Sequence, residues 1–452
     1  MNKILLIQQY LGDNSEVGPI FPIGLAYIST AISKLKWDIQ VLDMNIYEDP
    51  FLILSNILSE FNPDVIGISL RNIDNVDLKR FRYFYEDFVK LLNFIAHKQA
   101  IIIVGGAGFS IFANQIMQEN TSINYGIVQE GETTIVELLS AINSRKEVHN
   151  IKGILFRANN EIIYTGQRKP LDFSNSDIPD RSLFNVKAYD EPLCIGVQTK
   201  RGCSLKCSYC TYPFLNSYSE RFRPAKNVVD EIESLINDYN ISEIIFCDDI
   251  FNVPKWHAES IIHEMINRKI HIKWSAWFDI ANTDESFIKL AVQSGCYRMC
   301  FSAEAITNDS LKALHKNFNV EQIYSLMNII KKNEYKNIDF RFSIFALPPK
   351  QSLKGMLDTL SFTFRNHVMH KNIKCLVSWI RVYPNTELYG SLKYKPKNLL
   401  PTPNGNIDLS TIFFNEYHFN TILIRIYNWM FLLFEKLRKL KRKYIWNRIN
   451  KI

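Results

Sequence analysis

Short runs of β-branched and aliphatic residues alternate with stretches whose apolar positions recur every three or four residues, and the alternation continues through most of the 452 residues. In residues 1–145 the runs 4–8, 39–43, 65–70, 101–105 and 125–129 read as strands. Helical periodicity separates them near 22–35, 51–61, 77–97, 110–119 and 133–143. Apolar strands alternating with helices predict an α/β domain, a doubly wound parallel sheet. Ligands of such sheets sit beyond the carboxyl ends of the strands.

Residues 146–192 hold a hairpin pattern, 153–164, and then a stretch punctuated by Pro and Asp, which reads as a linker. From residue 193 the alternation resumes, with strands at 193–198, 243–247, 272–277, 298–302, 340–345 and 376–382. Helices are expected at 227–239, 255–268, 284–294, 308–315, 321–333 and 354–367. Six β/α repeats over 193–390 predict three quarters of a barrel of eight, whose chemistry gathers at the carboxyl ends of its strands. Residues 391–452 form a C-terminal extension, and 415–452 is a long helical pattern with an apolar stretch, 422–434, broken by Arg425 and Asn428.

Composition narrows the function. The formal charge is +7, and residues 435–452 alone carry eight Lys/Arg against one Glu, so the remainder is neutral. A basic stripe for nucleic acid is therefore not expected. The basic end after an apolar stretch suits either a helix packed on the barrel with a solvated tip or peripheral contact with an anionic membrane. The first residues read as a strand rather than a signal peptide, and no apolar window is long enough to span a membrane. All eight cysteines fall between Cys194 and Cys375, which is unlike a disulfide framework and points to a reducing, cytoplasmic location.

Three of those cysteines form C-x3-C-x2-C, with Cys203, Cys207 and Cys210 directly behind the first barrel strand and Tyr209 before the last. Three thiolates on one loop can hold three corners of a 4Fe-4S cube, leaving one iron open to a small molecule. A zinc site with Cys194, Cys247, Cys296 or Cys300 as a distant fourth ligand is the alternative, although structural zinc usually takes paired knuckles. An electron-carrying ferredoxin would want a fourth nearby cysteine.

This loop after the first strand of a partial β/α barrel resembles the radical S-adenosylmethionine (SAM) enzymes. The resemblance implies that Cys203, Cys207 and Cys210 ligate the cluster, that S-adenosyl-L-methionine chelates the open iron, and that Tyr209 sits against its adenine. The segment FCDDIFN resembles the family's second-strand end, where Asp248 or Asp249 would receive the cosubstrate's amine; the plain alternative is that they cap the next helix. GCYRMCFSAE resembles the fourth strand, whose acidic residue, Glu304, would reach the ribose, against the alternative of a solvated carboxylate. VYPNTEL resembles the end of the sixth strand. Ser302 in place of glycine, and ALPPK in place of a Gly-x-Pro-Gly-Glu turn, depart from the pattern on the substrate side.

An N-terminal doubly wound domain, with flavodoxin-like strand order, resembles the cobalamin-binding branch of that family. Gly105 and Gly106 begin a Gly-Gly-Ala-Gly run, and Glu130, Gly131 and Glu132 follow Gln129, which replaces the first glycine of the branch's signature. No histidine occurs before His97, so the resemblance implies cobalamin without a protein imidazole. Arg71, at the end of the third strand, would then face the lower side of the corrin, unless it pairs with a nearby Asp. An empty corrin domain, or a nucleotide in it, is the other reading.

The two cofactors together imply methylation of an unactivated carbon in a specialised metabolite or modified peptide, with flavodoxin or ferredoxin supplying electrons. Rearrangement or cyclisation without methyl transfer is the rival, and a non-catalytic iron–sulfur scaffold the alternative from another class. Methylthio transfer fits poorly, because the first 193 residues contain no cysteine.

Overall fold

The computed structural model describes residues 2–12, 19–77, 80–159, 161–189, 191–393, 395–396, 399–401 and 409–414, with 426, 429–430, 432–434 and 436–440 of the tail. The first five strands are β1 (Asn2–Gln8), β2 (Trp37–Asp43), β3 (Val65–Ser69), β4 (Ile101–Gly105) and β5 (Tyr125–Ile127). They pair in parallel in the order β2-β1-β3-β4-β5, the flavodoxin-like order expected. The sheet does not stop there. The predicted linker hairpin forms β6 (Ile154–Ala158) and β7 (Glu161–Tyr164), which add antiparallel strands at the open edge of β5. That covers an edge that would otherwise expose unpaired backbone groups.

The second sheet begins at β8 (Gly196–Val197). A two-stranded ribbon, β9 (Lys200–Arg201) with β10 (Arg221–Phe222), follows it. The remaining strands are β11 (Glu243–Phe246), β12 (Lys273–Phe278), β13 (Cys296–Glu304), β14 (Asp339–Phe345) and β15 (Ile373–Ser378). All six barrel strands run parallel in sequential order, β8-β11-β12-β13-β14-β15, a three-quarter barrel. Several expected bounds move, two of them for a visible reason. The helix predicted from residue 77 starts at Phe84, because Asp74 and Asn75 take the preceding backbone into a turn. The sixth strand lies at 373–378 rather than 376–382, and Arg381 instead bridges to Phe413.

The two domains are joined by buried polar contacts as well as by chain. Arg381 on the barrel donates to Asp74 of the first domain at 2.9 Å, both fully buried. The Tyr189 hydroxyl donates to Asp43 at 2.6 Å. In the linker, Arg181 joins Arg223 on Glu231, each pair at 2.6 Å, in a buried Arg–Glu–Arg triad that fastens 181 to the helix Ala225–Tyr239. Of the basic tail, Arg438 is buried against His367 and Phe434 against Phe364; residues 441–452 lie outside the described residues.

Candidate active site

The ribbon β9–β10 closes the base of the cysteine loop. Gly202 at φ +89 starts the excursion, where a Cβ would come within 2.2 Å of the Ser219 carbonyl oxygen. The Cys203 amide donates to Ser217 O and the Cys210 amide to Cys207 O. Ser208 pins the loop from two sides, donating to the Leu314 and Ala313 carbonyls and accepting from the amide of Leu388. Leu388 ends the VYPNTEL segment, so that segment serves the cysteine loop although it lies beyond the last strand.

Burial pushes all three thiols up, Cys203 to about 11, so the protein by itself favours the neutral form. A cationic iron centre is what would hold them as thiolates. Among the described residues, no three or more His, Cys, Asp or Glu converge as they would on a single ion. Thiolates that ligate separate irons of a cube need not converge on one point, so the donor set fits a cluster better than the zinc alternative. Lys316 lies 3.8 Å from Cys207 Sγ and near Glu304 and Asp279. The sequence reading missed it; a lone lysine on a loop after a short helix carries no signal until the fold brings it to the cysteines.

Glu304 is buried at the end of β13. The pairing of β13 with β14 shifts register between Ser302 and Glu304, and Glu304 itself has φ +62. Such a shift re-aims a side chain. The Tyr209 hydroxyl donates to Glu304 Oε1 at 2.8 Å, while Oε2 is buried without a hydrogen-bond partner. Burial pushes this carboxyl up against the opposing pull of Lys316 and Tyr209. Tyr209 also meets Phe345 edge-on at 5.0 Å, so its hydroxyl is committed to Glu304.

The paired aspartates separate. Asp248 accepts from the amides of Thr199 and Lys200 and from the Thr199 hydroxyl, and is buried. Its carboxylate is consumed by the turn after β8, which corrects its expected role as an amine ligand. Asp249 accepts from Asn216 at 3.1 Å and is pushed up to about 6 by burial. Neither caps a helix: the following one starts at Lys255 behind Pro254.

In the first domain a largely apolar slot of about 290 Å³ runs between the sheet and the helices Ile23–Ile32 and Glu132–Asn143. It opens at the strand ends Ser69, Gly105–Gly106 and Gln129–Glu132. Gly106 has φ +105, and a Cβ there would lie 2.6 Å from the Leu70 carbonyl oxygen; at Gly131 a Cβ would meet Ile28 at 2.9 Å. Gln129 adopts φ +67, the left-handed conformation that makes glycine the natural residue there. Its side chain donates to the Phe214 carbonyl across the domain boundary. Glu130 and Glu132 line the slot but are ion-paired, Glu130 with Arg221 and Glu132 with Arg201, each at 2.6 Å. They bind the barrel to the first domain. Arg71 is exposed; its carbonyl accepts from the Gly108 amide, but its side chain makes no hydrogen bond or ion pair among the described residues, so the expected alternative of an Asp partner finds no support. It faces Tyr212 and Cys247.

Residues 15–139 match the B12 binding domain, and residues 197–363 match the Radical SAM superfamily. The chain belongs to the B12-binding branch of the radical SAM superfamily. It is 25% identical over 316 residues to an uncharacterised methyltransferase of Pyrococcus horikoshii, covering 69% of this chain and 66% of that one. It is 24% identical to the cytidylyl-2-hydroxyethylphosphonate methyltransferase of Streptomyces wedmorensis, over 66% of this chain and 63% of that one. It is also 24% identical to the anaerobic magnesium-protoporphyrin IX monomethyl ester cyclase of Cereibacter sphaeroides, over 74% and 55%. The chain thus spans between about half and two thirds of the length of these curated relatives. In structure it is similar to TsrM from Kitasatospora setae, solved with tryptophan and a SAM analogue. That match has a TM-score of 0.75 and 21% identity, and covers 86% of this chain and 75% of that one. The likeness shows the shared two-domain fold.

The residues present fit the groups that this branch uses. One buried and two half-buried thiols on a single loop, with the unpartnered Glu304 oxygen, suit a cluster with its cosubstrate. The glycine-rimmed slot suits a narrow portion of a large ligand whose remainder lies on the rim.

Proposed function

We propose that this radical SAM protein is a cobalamin-dependent C-methyltransferase acting on an unactivated carbon of a small metabolite or a modified peptide. One observation carries the reading. The helix Tyr212–Asn216 starts two residues after Cys210, and its Tyr212, Leu215 and Asn216 form a wall of the slot in the first domain. The cysteine loop and the slot therefore face a common space, which a methyl donor and a carbon radical must share. When bound, the cluster supplies the electron that splits S-adenosylmethionine, and the corrin supplies the methyl group.

The chain's own residues do the positioning. Cys203, Cys207 and Cys210 would hold the cluster. Lys316 offers a cation to the cosubstrate's carboxylate, Asp249 an anion to its amine, and Glu304 Oε2 an acceptor to its ribose. Arg71 follows the strand end Ser69 that opens the slot, and its guanidinium would present positive charge to a metal there without ligating it. Substrate packing against the wall of the slot keeps water from the reacting atoms. A one-electron donor such as flavodoxin or ferredoxin completes the reaction.

The test is anaerobic turnover of the reconstituted protein with S-adenosylmethionine, a reductant and candidate substrates. Methyl transfer requires S-adenosylhomocysteine together with 5′-deoxyadenosine. 5′-Deoxyadenosine alone with a converted substrate would favour ring closure, the reading that the cyclase relatives support. Neither product, from protein carrying an intact cluster, would leave a scaffold.

A further inference from the structure

We propose that the C-terminal helix seats this protein on an anionic lipid surface. The described helical residues 426, 429–430, 432–434 and 436–440 present three edges. Phe434 and, one turn on, Arg438 face the barrel; Phe434 meets Phe364 at 5.4 Å, and Arg438 donates to His367 and to the carbonyls of Lys371 and Ile373. About 100° round the helix runs a stripe of Ile426, Trp429, Leu433, Leu437 and Leu440, spaced three or four residues apart. All five are exposed, Trp429 at 65% and Leu440 at 54%. Beyond the stripe, Lys436 and Lys439 form a basic edge.

Packing on the barrel accounts for the first edge and not for the second. Isolated exposed leucines need no explanation, but a continuous stripe led by a tryptophan does. The helix Leu353–Thr363 also exposes apolar side chains, Leu353 at 78% and Leu357 at 62%. That helix leads into Phe364, the residue against which Phe434 packs.

Charge selects the occupant. Residues 435–452 bring eight Lys/Arg and one Glu to this end of the chain, while the other 434 residues are neutral. A second copy of the chain thus has no net acidic charge to meet the basic run. An anionic bilayer matches both features at once, with headgroups for the lysine edge and the upper acyl region for Trp429 and the leucines. Among the described residues no helix is long and apolar enough to cross a membrane, so the contact is peripheral.

The test is co-sedimentation of the full chain with vesicles of phosphatidylcholine alone or of phosphatidylcholine mixed with phosphatidylglycerol. The expected result is pelleting with the anionic vesicles only, weakened by salt. L433E/L437E should abolish it without changing the circular dichroism spectrum or gel-filtration volume. K436Q/K439Q should weaken it by about fivefold per lysine. No pelleting with anionic vesicles, or equal pelleting with both kinds, overturns the proposal. So does a drop in the apparent size of L433E/L437E, which would assign the stripe to a second copy. The readout is binding, so it stands whatever reaction the site performs.

Discussion

Replacing Glu304 by glycine separates what this position costs the fold from what it offers a ligand. Glu304 holds φ +62, a left-handed conformation that costs an L-residue about 1–2 kcal/mol. Its Oε2 is buried without a partner, which costs about 1–3 kcal/mol more. Against these stand the hydrogen bond from Tyr209 at 2.8 Å, about 1.5–3 kcal/mol for a charged acceptor, and the roughly 0.5–1 kcal/mol of backbone entropy that glycine brings. At mid-range the terms cancel to within about 1 kcal/mol, a shift of about 4 °C or less in melting temperature. Binding should not be spared. Losing one charge-assisted contact to S-adenosylmethionine weakens affinity by roughly tenfold to 150-fold. Equilibrium binding to the anaerobically reconstituted protein, beside a thermal melt, reads both quantities. A melt lowered by more than about 8 °C with unchanged affinity would refute the reasoning and make the carboxylate a structural group.

Glu231→Gln should destabilise the protein by about 3–5 kcal/mol in urea denaturation, because Arg181 and Arg223 would be left buried without an anion; a loss under about 1 kcal/mol would contradict the triad's role. Asp249 has its carboxyl raised from 3.8 to about 6, so between those values the folded protein binds the extra proton. Stability of the cofactor-free protein should fall as pH rises through that window, by about 3 kcal/mol at most, and level off above it. Asp249→Asn should remove this slope, and an unchanged slope in the variant would assign the titration elsewhere. Gly106→Ala places a Cβ 2.6 Å from the Leu70 carbonyl at φ +105, and should abolish retention of cobalamin through gel filtration; full retention would remove the slot as its site.

Both sheets were legible because periodicity reports which face of an element is buried, and here almost every strand is apolar and every crossover helical. The cysteine loop was legible because spacing alone carries its chemistry. Lys316 and Phe214 were not, since their roles depend on approach between residues distant in sequence, Lys316 to Cys207 and Phe214's carbonyl to the side chain of Gln129. Asp248 misled for a related reason. Adjacent aspartates in a strand-end segment look alike in sequence, yet in the bend beyond the strand one accepts from the Thr199 turn and the other from Asn216. The hairpin at 153–164 was legible as a hairpin; that it completes the first sheet depends on the open edge of β5, which no local pattern announces.

Two of the positions where residue and backbone disagree belong to the site. Several non-glycine residues with positive φ, such as Asn62, Asn240, Lys269 and His315, fall at helix carboxyl ends, where that conformation is an ordinary way to stop. Glu304 and Gln129 do not. Glu304 aims a carboxylate at the cysteine loop, and Gln129 bridges the rim of the slot to the barrel. Glycine would relieve each backbone but would delete the Glu304 carboxylate and the Gln129 amide, the two side chains that tie strand ends to the opposite wall. Strain of this kind persists when neighbouring structure over-determines it. Here the neighbours are the ion pairs of Glu130 and Glu132 with Arg221 and Arg201 and the buried Arg381–Asp74 pair. The same contacts that hold the two domains in register thus also hold the cysteine loop and the slot at a fixed separation, which two reacting groups on different domains require.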